Sequence, residues 1–390
     1  MKKVILSVVA VATLVSANNL TEALQNGTYS TKARVFYFDR SFDKPGVDDA
    51  QALTAGGIMK YVTGDFNGLK AGIAYYGSHR LGSIFSREEG KGTSILGRKG
   101  EDLSFLGEAY LEYNIANTMI KVGRQQLSTP LIQNHDLRIL PSVYEAAIIK
   151  NQDIVDTNIE LGYVKRYTGF TSKDNRFNDY NSKWGQDGLG YISIKNKSIP
   201  NLSVRAQYVM ALDDKDNAGK QIKVDDYRYI DAKYALPFGQ KTYIKAQYGG
   251  NAYNVGDDST LYGVKVGTTV GMFDLALLYD KVDDNDFKAV ESGPMYSDWQ
   301  QGYGNYEPSE AFGGQIIAHP FAGMSFKVGY VDVAADDGYV RDDFTEMNID
   351  AKYKINKMSK LRVRYSIKDQ TDESDREDRD DFRVIYYLNF

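Results

Sequence analysis

The chain ends in nine residues that fit one kind of element. In Phe382-Arg383-Val384-Ile385-Tyr386-Tyr387-Leu388-Asn389-Phe390, the side chains of Phe382, Val384, Tyr386, Leu388 and Phe390 share one face, and Arg383, Tyr387 and Asn389 share the other. A period of two with one apolar face specifies a half-buried β-strand. A strand of this kind closing a chain of similar strands is the pattern of a bacterial outer-membrane barrel. There the last strand pairs with the first, because an open edge cannot be left in lipid. Phe390 is then the expected point of contact for the barrel-assembly machinery.

The amino terminus agrees with export. Met1-Lys2-Lys3 is a short basic region, Val4 to Val15 is apolar apart from Ser7 and Thr13, and Val15-Ser16-Ala17 supplies small residues for cleavage. The run is too short to span a membrane as a helix. Residues 1–17 are thus expected to be a signal peptide and residues 18–390 a single barrel domain in the outer membrane of a Gram-negative bacterium.

Composition narrows the function classes. The chain holds 30 Tyr, 17 Phe and 36 Gly but only 8 Pro, as expected when half of each strand meets lipid and half meets water. Losing Lys2 and Lys3 takes the net charge from −5 to −7, and no basic stripe marks a nucleic-acid partner. With no Cys, disulfide staples, thiolate metal sites and Cys nucleophiles are excluded.

Eighteen strands follow from the alternation: Tyr29–Phe38, 53–63, 69–78, 103–113, 117–127, 143–150, 157–167, 188–195, 201–211, 225–236, 241–250, 259–270, 273–282, 311–319, 324–333, 345–355, 360–368 and 381–390. Tight Gly-, Pro- and Asn-rich turns, such as Gly64–Gly68 and Pro320–Gly323, alternate with long polar connections such as 79–102, 168–187 and 283–310. Short turns at one end and long loops at the other are the layout of an antiparallel transmembrane barrel.

Alternation also sorts the charges. Lys32, Arg34, Lys121, Arg205, Lys245, Lys265, Lys327, Arg362, Arg364 and Arg383 are expected in the lumen, with Glu108, Glu112, Glu160, Asp231 and Asp350. On the lipid face at mid-membrane each charge would cost roughly 2–4 kcal/mol. The lumen of an eighteen-stranded barrel is too wide to fill with side chains, so a water-filled channel follows. The inward bases have two readings: a ladder that hands an anionic solute along the wall, or pairs with the inward acids that only solvate the lumen.

One connection, Ser128 to Val143, differs from the others. Leu131, Ile132, Leu137, Ile139 and Leu140 suit it to packing, and Pro130 and Pro141 stiffen its ends. Folded inward, it would narrow the passage. The stretch Val122-Gly123-Arg124-Gln125-Gln126-Leu127-Ser128-Thr129-Pro130-Leu131, followed by Asp136-Leu137-Arg138-Ile139-Leu140-Pro141 and Tyr144-Glu145, resembles the OprD family of outer-membrane porins. It departs from the family's pattern at His135, Leu137 and Ala146. The resemblance implies an eighteen-stranded barrel whose third extracellular loop folds in as an eyelet. It further implies passive diffusion of small, often carboxylate-bearing solutes such as amino acids and organic acids, guided by a basic ladder past acidic residues. It makes Asp136 and Arg138 eyelet candidates. Arg138 has a second reading, an ion pair with Asp136 or Glu145 that pins the loop. Arg124 belongs to the motif; strict alternation from Ile120 and Val122 aims it outward, whereas a bulge at Gly123 would turn it in.

Other chemistry finds little support. His79, His135 and His319 have no ligand spacing. In Gly77-Ser78-His79 the Ser and His fall on opposite faces of a strand, so no activated nucleophile is formed. No cofactor is expected, although the acidic tracts 283–286 and 372–381 are candidates for Ca²⁺. The short stretch before Tyr29 leaves no room for the plug of a gated transporter. The reading is a non-enzymatic porin; a non-selective general porin or a barrel enzyme are the alternatives, and homotrimer formation is left open.

Overall fold

Antiparallel pairing of sequence neighbours carries the chain around a closed circuit. The computed structural model describes residues 19–43, 46, 48–82, 95–96, 101–134, 138–168, 178–179, 187–215, 220–291, 293–297, 300, 307–336, 343–370 and 378–390. The expected leader, Asp136, His135, Leu137 and acidic residues 372–377 lie outside them. Among the described residues eighteen long strands form the wall. They are β1 Thr28–Phe42, β2 Ala50–Val62, β3 Leu69–Arg80, β4 Leu103–Ile115, β5 Thr118–Gln125, β6 Val143–Asn151, β7 Thr157–Thr168, β8 Leu189–Asn196 and β9 Leu202–Ala211. The second half comprises β10 Val224–Ala235, β11 Gln240–Tyr253, β12 Ser259–Val270, β13 Phe273–Asp283, β14 Ser309–Ala318, β15 Met324–Ala335, β16 Phe344–Lys354, β17 Ser359–Gln370 and β18 Arg379–Asn389. A two-residue piece, Asn178–Asp179, pairs with Arg166 and Tyr167 of β7.

Every strand read from the sequence is present. Closure runs through β18 and β1 in register from Lys32↔Asn389 to Phe42↔Arg379, and Phe390 and Thr31 exchange backbone hydrogen bonds of 3.0 and 3.2 Å. Strands lengthen toward the loop end; β1 runs to Phe42 and β11 to Tyr253, beyond the alternating segments. Those extra residues pair backbone to backbone above the membrane, where side-chain alternation is no longer required.

The faces divide as the pattern dictates. Phe382 and Tyr386 are exposed on the lipid side, whereas Arg383 between them is buried inside. Tyr234 and Tyr353 lie exposed on the outside near strand ends, where a ring meets apolar chains and its hydroxyl meets water, whereas Tyr163 and Tyr248, expected near strand ends, are exposed in mid-strand. A feature missed in the sequence is a short helix, Leu20–Gln25, capped by Asn19 and tied to the first tight turn by a bond from Gly64 N to Ala23 O of 2.8 Å. Its length gives no sequence period to read.

Candidate solute constriction and lumen wall

The connection between β5 and β6 crosses the bore. At its start Leu127, Leu131 and Ile132 are buried against Val209, Val224, Tyr227, Tyr229 and Leu261, on the wall around β9–β12. At its end Ile139 and Leu140 are buried against Phe36, Phe38, Ala52, Tyr76 and Ile385, on β1–β3 and β18. In an eighteen-strand circuit these walls face one another, so the loop is anchored on both sides.

Polar contacts fix its path. Leu131 N donates to Gln207 Oε1 at 2.8 Å, and Gln207 Nε2 donates to Thr129 Oγ1 at 2.8 Å. Tyr144 OH donates to Gln133 O at 2.5 Å, and Asn134 Nδ2 to Gln126 Oε1 at 2.9 Å. A buried amide without a partner costs about 1–3 kcal/mol, which is why a segment with so many satisfied groups holds one shape.

A second inward segment joins it, from the connection after β13, read above as a polar loop. Phe287, Val290 and Met295 are buried in the same cluster as Leu131. Val290 N donates to Leu131 O at 3.0 Å, Gln133 N to Glu291 O at 3.2 Å, and Ser142 Oγ to Glu291 Oε1 at 3.0 Å. Ser297 N and Oγ donate to Asp280 Oδ2 at 2.6 and 2.8 Å, fastening the segment to its own strand. Burial, with Asp231 and Asp280 nearby, raises the Tyr296 hydroxyl well above its ordinary pKa, so it stays protonated.

Arg138 lies at the junction of loop and wall and is 4% exposed. Its carbonyl accepts a bond from Arg34 Nη1, and its guanidinium lies 5.9 Å from the centre of the Phe38 ring. Arg40 and Arg383 crowd the same ring at 5.4 and 5.2 Å. Glu145, the alternative partner weighed for Arg138, instead accepts from Arg166 Nε at 2.7 Å. Asp136 falls on undescribed residues.

Cross-strand register puts all ten bases expected in the lumen on the inward face. Arg362 Nε donates to Asp350 Oδ1 at 2.9 Å, and Lys352 and Arg364 each come within 3.7 Å of the same carboxylate. Lys327 stands directly opposite Asp350 on the neighbouring strand. Asp381 accepts from both Arg40 and Arg383, from Arg383 Nη2 at 2.5 Å. Arg205 Nε donates to Asp231 at 3.0 Å, and Lys245 faces Lys233 and Lys265 across its two flanking pairings. Lys32 and Lys121 share a cavity of about 410 Å³ with Ser30, Ile58, Lys60, Glu108 and Gln126. Acids thus anchor many of the bases, and several bases share one acid.

Arg124 faces outward. The register runs Ala109↔Arg124↔Glu145 without a break at Gly123; the nearby interruptions fall between Ala74 and Tyr75, opposite Gly107, and between Glu145 and Ala146, opposite Lys165. Gly123 nonetheless takes φ +123°, where a Cβ would sit 2.3 Å from Ala109 O. Ser78 points in and donates to Ile95 O at 2.7 Å, while His79 points out beside Asp102 at 3.3 Å. Of the acidic tracts, Asp283 and Asp286 contact Lys281 at 3.1 Å and Lys288 at 2.6 Å, and Asp380 accepts from Tyr365 OH at 2.5 Å.

Comparison with known proteins agrees with this architecture. The chain is similar to Pseudomonas aeruginosa OccK9 (OpdG) at 16% identity and TM-score 0.78, covering 94% of this chain and 99% of the other. Acinetobacter baumannii OccAB4 gives 14% identity and TM-score 0.77 over 94% and 98%. Pseudomonas aeruginosa OpdK, solved with vanillate, gives 15% and 0.76 over 94% and 99%. At such identities the likeness shows the fold. No curated protein matches the chain. The model of a family described as outer membrane porin, OprD family, matches residues 23–390, and the chain belongs to the OprD family of outer-membrane porins.

Proposed function

We propose that this porin carries small carboxylate solutes passively across the outer membrane of a Gram-negative bacterium and performs no catalysis. The observation that supports this best is the loop from Gln126 to Ser142, packed on opposing walls and stitched to the segment around Val290. It narrows the passage beside a wall rich in Arg and Lys. Arg138 sits on this loop, and the proposed role of Arg138 and Asp136 is to act by charge on a passing ion. The inward bases of β16, β17, β18 and β1 outnumber Glu346, Asp350 and Asp381 on those strands, so the wall carries a positive field into the constriction. OpdK was solved with vanillate, an aromatic carboxylate.

The test is reversal potential in asymmetric salt, combined with uptake into proteoliposomes of a small carboxylate and its uncharged amide. The expected result is anion preference and faster uptake of the carboxylate. Equal rates for the two, with no ion preference, would leave a general porin as the correct description.

A further inference from the structure

Three lysines stand side by side on the lumen wall with no acid among them. Lys233 on β10, Lys245 on β11 and Lys265 on β12 are directly opposite one another in the pairing register. All three point inward, since their chain neighbours Tyr234, Ile244 and Val264 are exposed on the lipid side. Ser203 of β9 and Leu278 of β13 flank the row. Like charges directly opposite across paired strands repel, and nothing within the row offsets that cost.

The surrounding acids are already engaged. The next inward row toward the loops runs Arg205, Asp231, Gln247, Gly263 and Asp280. Asp231 accepts from Arg205 Nε at 3.0 Å and from Tyr229 OH at 2.9 Å. Asp280 accepts from Ser297 N and Gln247 Nε2, both at 2.6 Å. Toward the turns the next row, Ala235, Tyr243, Gly267 and Ala276, is uncharged. Beyond it Asp274 is held by Thr269 and His319 at 2.6 and 2.9 Å. Across the three rows on β9–β13, four bases therefore stand against two acids, and among the described residues no carboxylate lies within ion-pair distance of the three lysines.

Two tyrosines complete the place. Lys233 Nζ and Lys245 Nζ lie 4.6 and 5.9 Å from the centre of the Tyr243 ring, which holds ammoniums without neutralising them. Tyr296, from the second inward segment, brings its ring centre to 5.9 Å from Lys245 Nζ. Its hydroxyl is buried and has no hydrogen-bond partner among the described residues. A buried donor left open beside uncompensated ammoniums lacks the acceptor that an anion supplies.

We propose that Lys233, Lys245 and Lys265, with the Tyr296 hydroxyl, form a binding site for a short-chain di- or tricarboxylate passing through the bore. Strand spacing sets the roots of neighbouring lysines about 5 Å apart. One carboxylate offers too few oxygens for such a row, whereas two or three fill it. The site faces β18 and β1 across the lumen. It rests on the reading of the porin as an anion path and adds the charge of the solute.

The full porin is reconstituted in planar bilayers, and block of its KCl current is titrated with citrate, acetate and inorganic phosphate. In wild type, citrate should half-block at a concentration at least tenfold below that of acetate, and the block should weaken as salt rises. Lys233→Gln, Lys245→Gln and Lys265→Gln should each raise the half-blocking citrate concentration about tenfold, and Tyr296→Phe about fivefold. Lys150→Gln, which alters an inward lysine paired with Glu160 at 2.8 Å, should leave the block unchanged. The wild-type titrations decide the matter even where a variant fails to fold. Citrate and acetate blocking alike overturns the proposal, as does phosphate blocking more tightly than citrate, or an equal effect of Lys150→Gln and Lys245→Gln. Reversal potential in the same bilayers separates the two readings: anion preference without selective citrate block refutes the site alone, whereas selective block without anion preference refutes the anion path and leaves the site standing.

Discussion

Leu131→Ala should open the constriction without unfolding the barrel. Leu131 is fully buried, its N–H is held by Gln207, and its carbonyl receives the amide of Val290. The truncation keeps those backbone bonds but empties the space between two inward loops. Leu→Ala at such a site costs about 3 kcal/mol, which shifts the ratio of loop-in to loop-out states about 150-fold. The strand ladder is untouched, so the folded band on an unheated gel should persist. In planar bilayers the wild type should give one narrow conductance; the variant should add a larger, noisier level. Leu131→Met, which keeps the volume, should restore the wild-type trace. A folded Leu131→Ala porin with unchanged conductance and noise would show that packing of this loop does not set the bore.

Three other perturbations test neighbouring parts. Asp381→Asn removes the buried carboxylate shared by Arg40 and Arg383; about 3–5 kcal/mol should be lost in a denaturant titration, and the reversal potential should move toward anions. The double change Arg362→Gln and Arg364→Gln should reduce anion preference in asymmetric salt while leaving conductance at high salt nearly constant, because salt screens a field but not a steric width. Gly123→Ala forces a Cβ to 2.3 Å from Ala109 O at a φ of +123°, and should lower stability by about 1–3 kcal/mol, read as an earlier midpoint in urea.

The wall was legible because its signals are local. Alternation in segments such as Leu361–Ile367 is imposed by lipid on one side and water on the other, and the tight turns follow from Gly, Pro and Asn. The first inward loop was legible too, since Leu131, Ile132, Ile139 and Leu140 make it more apolar than any neighbour. The second was not. Phe287, Val290 and Met295 stand among Asp, Lys, Glu and Ser, and their partner Leu131 lies far away in sequence. The direction of Arg124 needed the register, because a glycine permits a bulge without requiring one. Which bases are neutralised was also hidden. Asp350 takes Arg362 and Arg364, and Asp381 takes Arg40, from neighbouring strands, and those choices exist only once the pairings are known.

Those pairings make the two sides of the lumen electrostatically different. On the side of β2–β7 the ion pairs run one acid to one base: Lys60 with Glu108 at 2.6 Å, Lys121 with Glu112 at 3.6 Å, Lys150 with Glu160 at 2.8 Å. Each pair is close to neutral at the distance of a passing solute. On the side of β16–β18 and β1, Asp350 is divided among Arg362, Lys352 and Arg364, and Asp381 between Arg40 and Arg383. A shared acid fixes the orientation of its bases while cancelling only one of their charges. Guanidiniums fixed in this way expose a positive field without the entropy cost of ordering loose side chains around each ion. The loop carrying Arg138 touches this second wall through Phe38 and Arg34. On the proposed reading the inward loop and the shared acids meet on one side, and an anion crossing the constriction is expected to be drawn toward β1 and β18.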